Sequence, residues 1–171
     1  MYIHARDRRT GAEGPRSTPF SGLEDHPYGL GQSTRRFEGV FTGTLHGDTH
    51  TKSDVKVTLT HRDTEIAGTI ALASGLRILF GAPCGLERID VGTVPVKAMW
   101  DSAKPDHLEA VGDVEEKTEH LPGFTMKMRI TLVADFVDRD TASATLTIDP
   151  LGPATDKCGT RTMPLLLKRW Y

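Results

Sequence analysis

Apolar and polar residues alternate along most of the chain after residue 36, in short runs separated by turn-forming residues. The clearest run is FTMKMRITLVADF, in which every second residue from Phe124 to Phe136 is apolar. Successive side chains of a β-strand point to opposite faces, so this run predicts a strand with one apolar and one mostly polar face. Further runs of this kind are residues 37–45, 54–61, 66–72, 76–80, 93–100, 142–149 and 160–170.

Residues 105–121 fit two kinds of secondary structure. Asp106 as an N-cap, with Glu109 three residues later, indicates the start of a helix. Against a helix, Gly112 lies in the middle of the segment, and a strand here would pair with the strand before it across a short turn. We predict a strand over residues 107–116 and keep a helix as the alternative.

The predicted strands number about eight to nine, and their short connections favour antiparallel pairing. About eight strands can close into a barrel around side chains or one small ligand, and closure requires strongly curved strands. Small residues inside several strands would permit that curvature. We therefore predict an all-β fold, an antiparallel barrel of about eight strands, with a β-sandwich as the alternative. The small residues in question are Gly39, Gly43, Gly68, Ala142 and Ala144.

The first 36 residues lack the alternation and are rich in glycine, proline and arginine. This composition is typical of an extended segment without a core of its own. We predict an N-terminal arm over residues 1–36 and a barrel domain over residues 37–171. The bulky apolar residues within 19–36 could cap an opening of the barrel, or this stretch could be a solvated tail.

Charge and hydropathy exclude several classes of partner. The 171 residues include 21 basic and 23 acidic side chains, interspersed, with a net charge of −2, so we predict no nucleic-acid partner. No run of 18 apolar residues occurs, so we predict no membrane span. The first residues lack the apolar stretch of a secretory signal, which predicts a cytoplasmic protein. The oligomeric state is left open.

The two cysteines, Cys84 and Cys158, match neither a zinc-binding nor a redox spacing. A reducing cytosol keeps such residues as thiols, so we favour free cysteines. Both lie in turn-like sequences, and a disulfide between two loops is the alternative for an exported protein.

The segment HGDTH is the most tempting metal candidate. His46, Asp48 and His50 would share one face of an extended strand, and imidazole and carboxylate groups can bind zinc or iron. Because Gly47-Asp48 favours a turn between two strands, we predict a polar hairpin loop and no metal site.

His61 continues the apolar alternation of its strand and is predicted to point inward at a barrel mouth. A histidine there could act as an acid, a base or a hydrogen-bond donor, so His61 is our candidate catalytic residue. Between the two roles, we favour that of a strand-end residue facing water. The chain contains no nucleophile elbow, no phosphate-binding loop and no dinucleotide-binding motif, and we predict no cofactor.

The apolar inner face is the remaining candidate for binding a ligand. Methionines suit an adaptable lining, because thioethers pack well around irregular shapes. The same side chains could instead fill the barrel as a solid core, and we leave core against cavity open. The predicted lining residues are Phe41, Phe80, Trp100, Phe124, Met126, Met128 and Phe136.

The strand rhythm from Phe37 to Trp170 resembles that of lipocalin-like (calycin) barrels. The likeness rests on the hairpin VKVTLTHRDTEIAGTIAL and the closing run LLLKRW, and it covers about 130 residues at the level of pattern. The resemblance implies an eight-stranded barrel that binds a hydrophobic small molecule without catalysis.

A weaker resemblance is to cytosolic β-barrel cyclases that form spirotetronate or spirotetramate rings in natural-product pathways. The shared features are the small size, the arm over residues 19–36 and the apolar Met/aromatic lining. The resemblance implies a cofactor-free intramolecular cycloaddition of a polyene or polyketide-like substrate, accelerated by holding the substrate in a reactive fold. We therefore lean towards an enzyme, with a non-catalytic binding barrel or a structural barrel without ligand as alternatives.

Overall fold

The computed structural model describes residues 37–82, 84–118, 123–152 and 158–171. The predicted arm over residues 1–36, and its suggested capping role, lie outside the described residues. Within the described residues, no helix is long and apolar enough to cross a membrane.

Ten strands make up the described secondary structure, and eight of them close into an antiparallel barrel. The prediction of a barrel rather than a sandwich is confirmed, as is a strand rather than a helix after residue 106. The strands are β1 Gly39–His46, β2 Lys52–Arg62, β3 Glu65–Leu72, β4 Leu76–Leu79, β5 Leu86–Ile89, β6 Thr93–Met99, β7 His107–Lys117, β8 Thr125–Phe136, β9 Thr141–Leu151 and β10 Arg161–Arg169.

The barrel consists of two four-stranded meanders, β1-β2-β3-β6 and β7-β8-β9-β10, which follow one another along the chain. Pairing inside each meander is long, with eleven paired positions between β7 and β8 alone. The two seams between the meanders are short. Along them, β1 pairs with β10 at Phe41↔Arg169 and Thr42↔Lys168, and β6 pairs with β7 at Lys97↔Val111.

A glycine lies in each seam, where two backbones approach closely. A Cβ atom on Gly112 of β7 would overlap the carbonyl oxygen of Pro95 in β6. A Cβ atom on Gly43 of β1 would lie 2.7 Å from the carbonyl oxygen of Leu166 in β10. Only glycine fits such a contact without displacing the neighbouring strand, so these two residues allow the meanders to join.

The two meanders end in similar sequences, TVPVKAMW (93–100) and TMPLLLKRW (162–170). Pro95 pairs with Thr69 and Pro164 with Thr145, each in the third strand of its own meander. The second sequence is one residue longer, so Trp100 falls on the inward side while Trp170 is exposed. The inward position of the longer sequence holds Arg169 instead.

The barrel has two ends, which we name by their contents. The histidine end is where β2, β6, β8 and β10 finish, and it contains His61. The hairpin end is covered by β4 and β5, which pair with each other and form a separate two-stranded sheet. The inward side chains between the two ends form one continuous apolar core with the underside of this hairpin.

Cys84 and Cys158 form a disulfide at the hairpin end, with their Cα atoms 5.7 Å apart. The prediction of free thiols is therefore wrong. It rested on the expected compartment alone, whereas the fold brings the β4–β5 turn against the segment that leads into β10, where the Gly159 amide donates to the Phe80 carbonyl at 2.7 Å.

Candidate functional site at the histidine end

His61 and Trp100 lie side by side at the histidine end. His61 is on the inward side of β2, opposite Ile66 of β3. Trp100 directly follows β6, and its backbone amide donates to the carbonyl of Thr64 in the β2–β3 turn at 2.8 Å. The turn thereby holds the indole beside the imidazole, with 5.9 Å between the two ring centroids.

Three phenylalanines continue this contact into the barrel. Phe37 lies 6.1 Å from His61 and 5.1 Å, edge to face, from Phe136. Phe41 contacts the other side of Phe136, also edge to face, at 5.3 Å. Such edge-to-face geometry is the favoured arrangement of aromatic rings. His61, Trp100 and the three phenylalanines thus form one continuous aromatic cluster, which we call the ring cluster.

The polar atoms of the ring cluster have no hydrogen-bond partner in the described part of the chain. These atoms are Nδ1 and Nε2 of His61 and Nε1 of Trp100, and all three are enclosed. An enclosed polar group without a partner typically destabilises a fold by about 1–3 kcal/mol. A neutral imidazole offers one donor and one acceptor, and an indole offers one donor. The three atoms could therefore donate two hydrogen bonds to a small polar group and accept one from it.

Arg169 closes another part of the histidine end. Its guanidinium donates to the carbonyl of Arg139 at 3.1 Å and to that of Glu38 at 2.5 Å. It also lies 3.4 Å from the carboxylate of Asp140 and 4.6 Å from the centre of the Phe41 ring. The guanidinium is therefore a fixed positive charge stacked on the ring cluster.

The predicted lining residues divide between the two ends of the barrel. Phe41, Phe136 and Trp100 belong to the ring cluster, together with the predicted catalytic residue His61. Met126 and Met128 point inward from β8 and are buried, but Met126 pairs with Glu116 near the hairpin end. These five side chains lie on the inward side, but the sequence did not separate the two ends, and their role in binding a ligand stays a prediction.

Two of the predicted lining residues do not belong to the barrel wall. Phe124 precedes β8, is 38% exposed, and accepts a hydrogen bond from the amide of Thr118 at 3.0 Å, so its predicted inward position is wrong. The alternation ends with the strand, because a turn no longer holds alternate side chains on opposite faces. Phe80 is buried, but in the β4–β5 hairpin and not in a barrel strand.

Three surface pockets lie on the outer wall of the barrel. They have volumes of about 590, 570 and 350 Å³, and the exposed residues along them include Thr44, Leu166 and Met99 respectively. The inward side chains instead form a continuous buried core. The inward side chains of the described barrel are buried against one another, which favours the core alternative of the sequence analysis, and a ligand between them would have to displace side chains.

The segment HGDTH forms a loop, as predicted. β1 ends at His46, and Thr49 and His50 adopt positive φ angles of 56° and 59° in the loop before β2. Asp48 accepts from the amide of Leu79 at 2.8 Å and from Arg161 at 2.7 Å. No group of three histidine, cysteine or acidic side chains in the described ranges is placed to hold a metal ion.

A cluster of carboxylates lies under the hairpin. The amide of Asp90, just after β5, donates to Oε1 of Glu116 at 2.5 Å, while Oε2 is enclosed without a partner among the described residues. Burial raises the pKa of Glu116 to about 7, and the negative charges of Asp90 and Glu87 also raise it. The hydrogen bond from Asp90 and the charge of Arg88 act in the opposite direction but do not prevail.

We expect Glu116→Gln to remove the loss of stability that wild type shows as pH rises and Glu116 ionises. The folded-state pKa of Glu116, about 7, lies above its ordinary value of 4.5, so the folded protein binds the proton more tightly. Glu116 therefore lowers the free energy of unfolding as pH rises from 4.5 to 7. The side chain is only partly buried, so we discount the effect to about 1 kcal/mol. Urea unfolding should show the variant more stable than wild type at pH 8 and equal to it at pH 4.5; parallel pH profiles would contradict this.

Comparison with known proteins assigns the chain to no family. No protein-family model and no curated protein matches the chain. Among solved structures, a redesigned β-barrel, b11L5F_LGL, matches with 11% identity and a TM-score of 0.45, over 82% of this chain and 96% of that one. EF1p2_mFAP2b bound to DFHBI matches with 11% identity and a TM-score of 0.41, over 81% of this chain and 98% of that one.

Proposed function

We propose that this barrel binds an apolar small molecule that carries a hydrogen-bonding head, and that the ring cluster is its site. The observation that carries the proposal is the set of three enclosed polar atoms of His61 and Trp100, which have no partner among the described residues. Ligand sites are typically apolar with a few placed polar groups, and the ring cluster has this composition.

The chemistry of the ring cluster favours a carbonyl or carboxylate head. Trp100 Nε1 and the protonated nitrogen of His61 can both donate to one oxygen atom or to two oxygens of a carboxylate. The aromatic faces of Phe37 and Phe136 suit a flat, conjugated body. The nearby guanidinium of Arg169 favours a negative over a positive head.

Because the inward side chains are buried against one another, a ligand would take the place of some of them. Phe37 precedes β1 and is outside the strand ladder, so its ring can move without breaking strand pairing. Met126 and Met128, further along the barrel, have flexible side chains that adapt to new shapes. Displacement of these three side chains would admit a ligand with the smallest loss of stability.

The more specific form of the proposal is a cofactor-free cyclase. An intramolecular cycloaddition forms two carbon–carbon bonds from π electrons of the substrate, with no atom gained or lost. Hydrogen bonds from His61 and Trp100 to a conjugated carbonyl would polarise the reacting π system, and a fixed substrate fold would lower the barrier further.

We expect His61→Phe and Trp100→Phe to weaken ligand binding while leaving the fold at least as stable. Each variant keeps an aromatic ring and removes enclosed polar atoms, so each should gain about 1 kcal/mol in the free energy of unfolding. Titration calorimetry with retinoic acid, a polyene carboxylate, should show an affinity loss of about tenfold or more.

Trp170→Phe is the matched control, because Trp170 is exposed and outside the ring cluster. It should change neither stability nor affinity. The proposal fails if wild type binds no polyene carboxylate, or if the two ring-cluster variants bind as tightly as wild type. For the cyclase form, incubation with linear polyenes that carry an internal dienophile should yield an isomer of unchanged mass and shortened conjugation, and recovery of unreacted substrate would contradict it.

A further inference from the structure

The β4–β5 hairpin covers the barrel without being part of its wall. In the described sheets, β4 pairs with β5 alone, whereas each barrel strand pairs with two neighbours. The hairpin is inserted between β3 and β6, which pair directly with each other. The barrel is therefore closed without the hairpin, and the hairpin can move without breaking a barrel ladder.

The underside of the hairpin is apolar apart from the buried carboxylate of Glu87, and it closes the hairpin end. Leu76, Ile78, Phe80 and Ile89 are buried in contact with the barrel core. The same core cluster contains Met126, Met128 and Met163 on the barrel side. Moving the hairpin away would therefore expose the most adaptable part of the barrel interior.

Hydrogen bonds from neighbouring loops hold the base and one side of the hairpin. Asp48 accepts from the amide of Leu79 at 2.8 Å, and its own amide donates to the carbonyl of Arg77 at 2.8 Å. Thr51 Oγ1 accepts from the amide of Arg77 at 3.0 Å. On the other side, Glu116 accepts from the amide of Asp90. Three of these four hydrogen bonds have a side-chain acceptor, and isolated contacts of this kind open more readily than a ladder.

The disulfide fixes the opposite end of the hairpin. Cys84 lies in the connection between β4 and β5, at the tip of the hairpin, and Cys158 lies just before β10. The base of the hairpin is tied by the chain itself to β3 and β6. With the disulfide intact, both base and tip are fixed, whereas without it the tip is held by non-covalent contacts such as Gly159 N to Phe80 O at 2.7 Å.

We propose that the β4–β5 hairpin is a lid through which the apolar ligand reaches the barrel interior, and that the Cys84–Cys158 disulfide is its latch. The ligand part of this inference rests on the proposed function. A dithiol reductant opens the latch: two electrons and two protons convert the disulfide into two thiols, while the dithiol becomes a disulfide. The freed tip can then turn about its base, which exposes the methionine side of the core.

The carboxylates under the lid also favour its opening. Glu116 faces Glu87, Arg88 and Asp90 of the hairpin, and on its own sheet it pairs with the apolar Met126. Ionised Glu116 meets two negative charges and one positive charge there, so its ionisation weakens the attachment of the lid. Lid opening is therefore expected to be easier at pH 8 than at pH 5.

Hydrogen exchange read by mass spectrometry tests the latch without any ligand. The quantity compared is the exchange rate of the amides in β4 and β5, divided by that of the amides in β8 and β9. This ratio should rise at least about tenfold when the full chain is treated with dithiothreitol, and equally in Cys84→Ser/Cys158→Ser without reductant. An unchanged ratio in the double variant would overturn the proposal, because the disulfide would then stabilise the whole barrel evenly.

Stopped-flow mixing with retinoic acid tests the path of the ligand. If the hairpin is the route, the association rate should rise at least about tenfold in the double variant, with a smaller change in affinity. An unchanged association rate together with a raised exchange ratio would reject the route but keep the latch. Absence of binding in both proteins would reject the proposed function, and the exchange ratio would still decide whether the disulfide latches the lid.

Discussion

Replacing Cys84 and Cys158 together by serine is expected to lower the free energy of unfolding by about 3 kcal/mol. The disulfide joins residues 74 positions apart and so shortens the unfolded chain across β5 to β9. In the chain-entropy picture a loop of this length corresponds to about 4 kcal/mol, and measured values fall somewhat below that figure. Urea unfolding at 25 °C, with the wild-type protein oxidised, measures the difference.

The single variants separate the contribution of the covalent bond from that of the packing of the two cysteine side chains. If the bond is responsible, Cys84→Ser, Cys158→Ser and the double variant should be destabilised by nearly equal amounts, since each breaks the same bond. Wild type treated with dithiothreitol should match them. Additive effects of the two single variants would instead assign the loss to the packing of two buried sulfur atoms.

The barrel strands could be predicted because their inner and outer faces differ. Alternation identified β2, β3, β8 and β9 to within about two residues of their ends, since core on one side and water on the other impose a period of two. The same signal missed β5, Leu86–Ile89. It also could not show that β4 leaves the wall, because a hairpin lying over a core has the alternation of a barrel strand.

The ring cluster was predicted in part. The inward position of His61 followed from its strand, and Phe37 and Arg169 share the inward side of β1 and β10 by the same counting. Phe37 begins the predicted run 37–45 but was not counted among the lining residues, and Arg169 was missed because a positive charge rarely points inward. The polar atoms of His61 and Trp100 are enclosed by residues distant in sequence. The alternation of apolar and polar residues gives no information on such contacts.

The disulfide bears on the expected location of the protein. Disulfides persist in oxidising compartments and are rare in the cytosol. The cytoplasmic prediction and the Cys84–Cys158 bond therefore point in opposite directions. Pairing of cysteines 74 positions apart could not be inferred from sequence, because it depends on the hairpin folding back over the barrel end.

Glycines inside the strands were interpreted from sequence as sites of curvature, but the seam glycines have a more specific role. Each seam joins two meanders through very few paired positions. At Gly112 the backbone of β7 touches that of β6, so the missing side chain is what allows closure. A barrel that depends on two short seams should be sensitive to substitutions at these contacts.

We therefore expect Gly112→Ala to lower the free energy of unfolding by about 3 kcal/mol, measured by urea unfolding at 25 °C. The added methyl group overlaps the carbonyl oxygen of Pro95, and a backbone atom can yield only if β6 moves away from β7. Gly152→Ala is the matched control. A Cβ atom there meets nothing within 4 Å, and its φ of 100° should destabilise by only about 1 kcal/mol. Equal losses in the two variants would contradict the seam argument, because general strand preferences and backbone strain would then account for both.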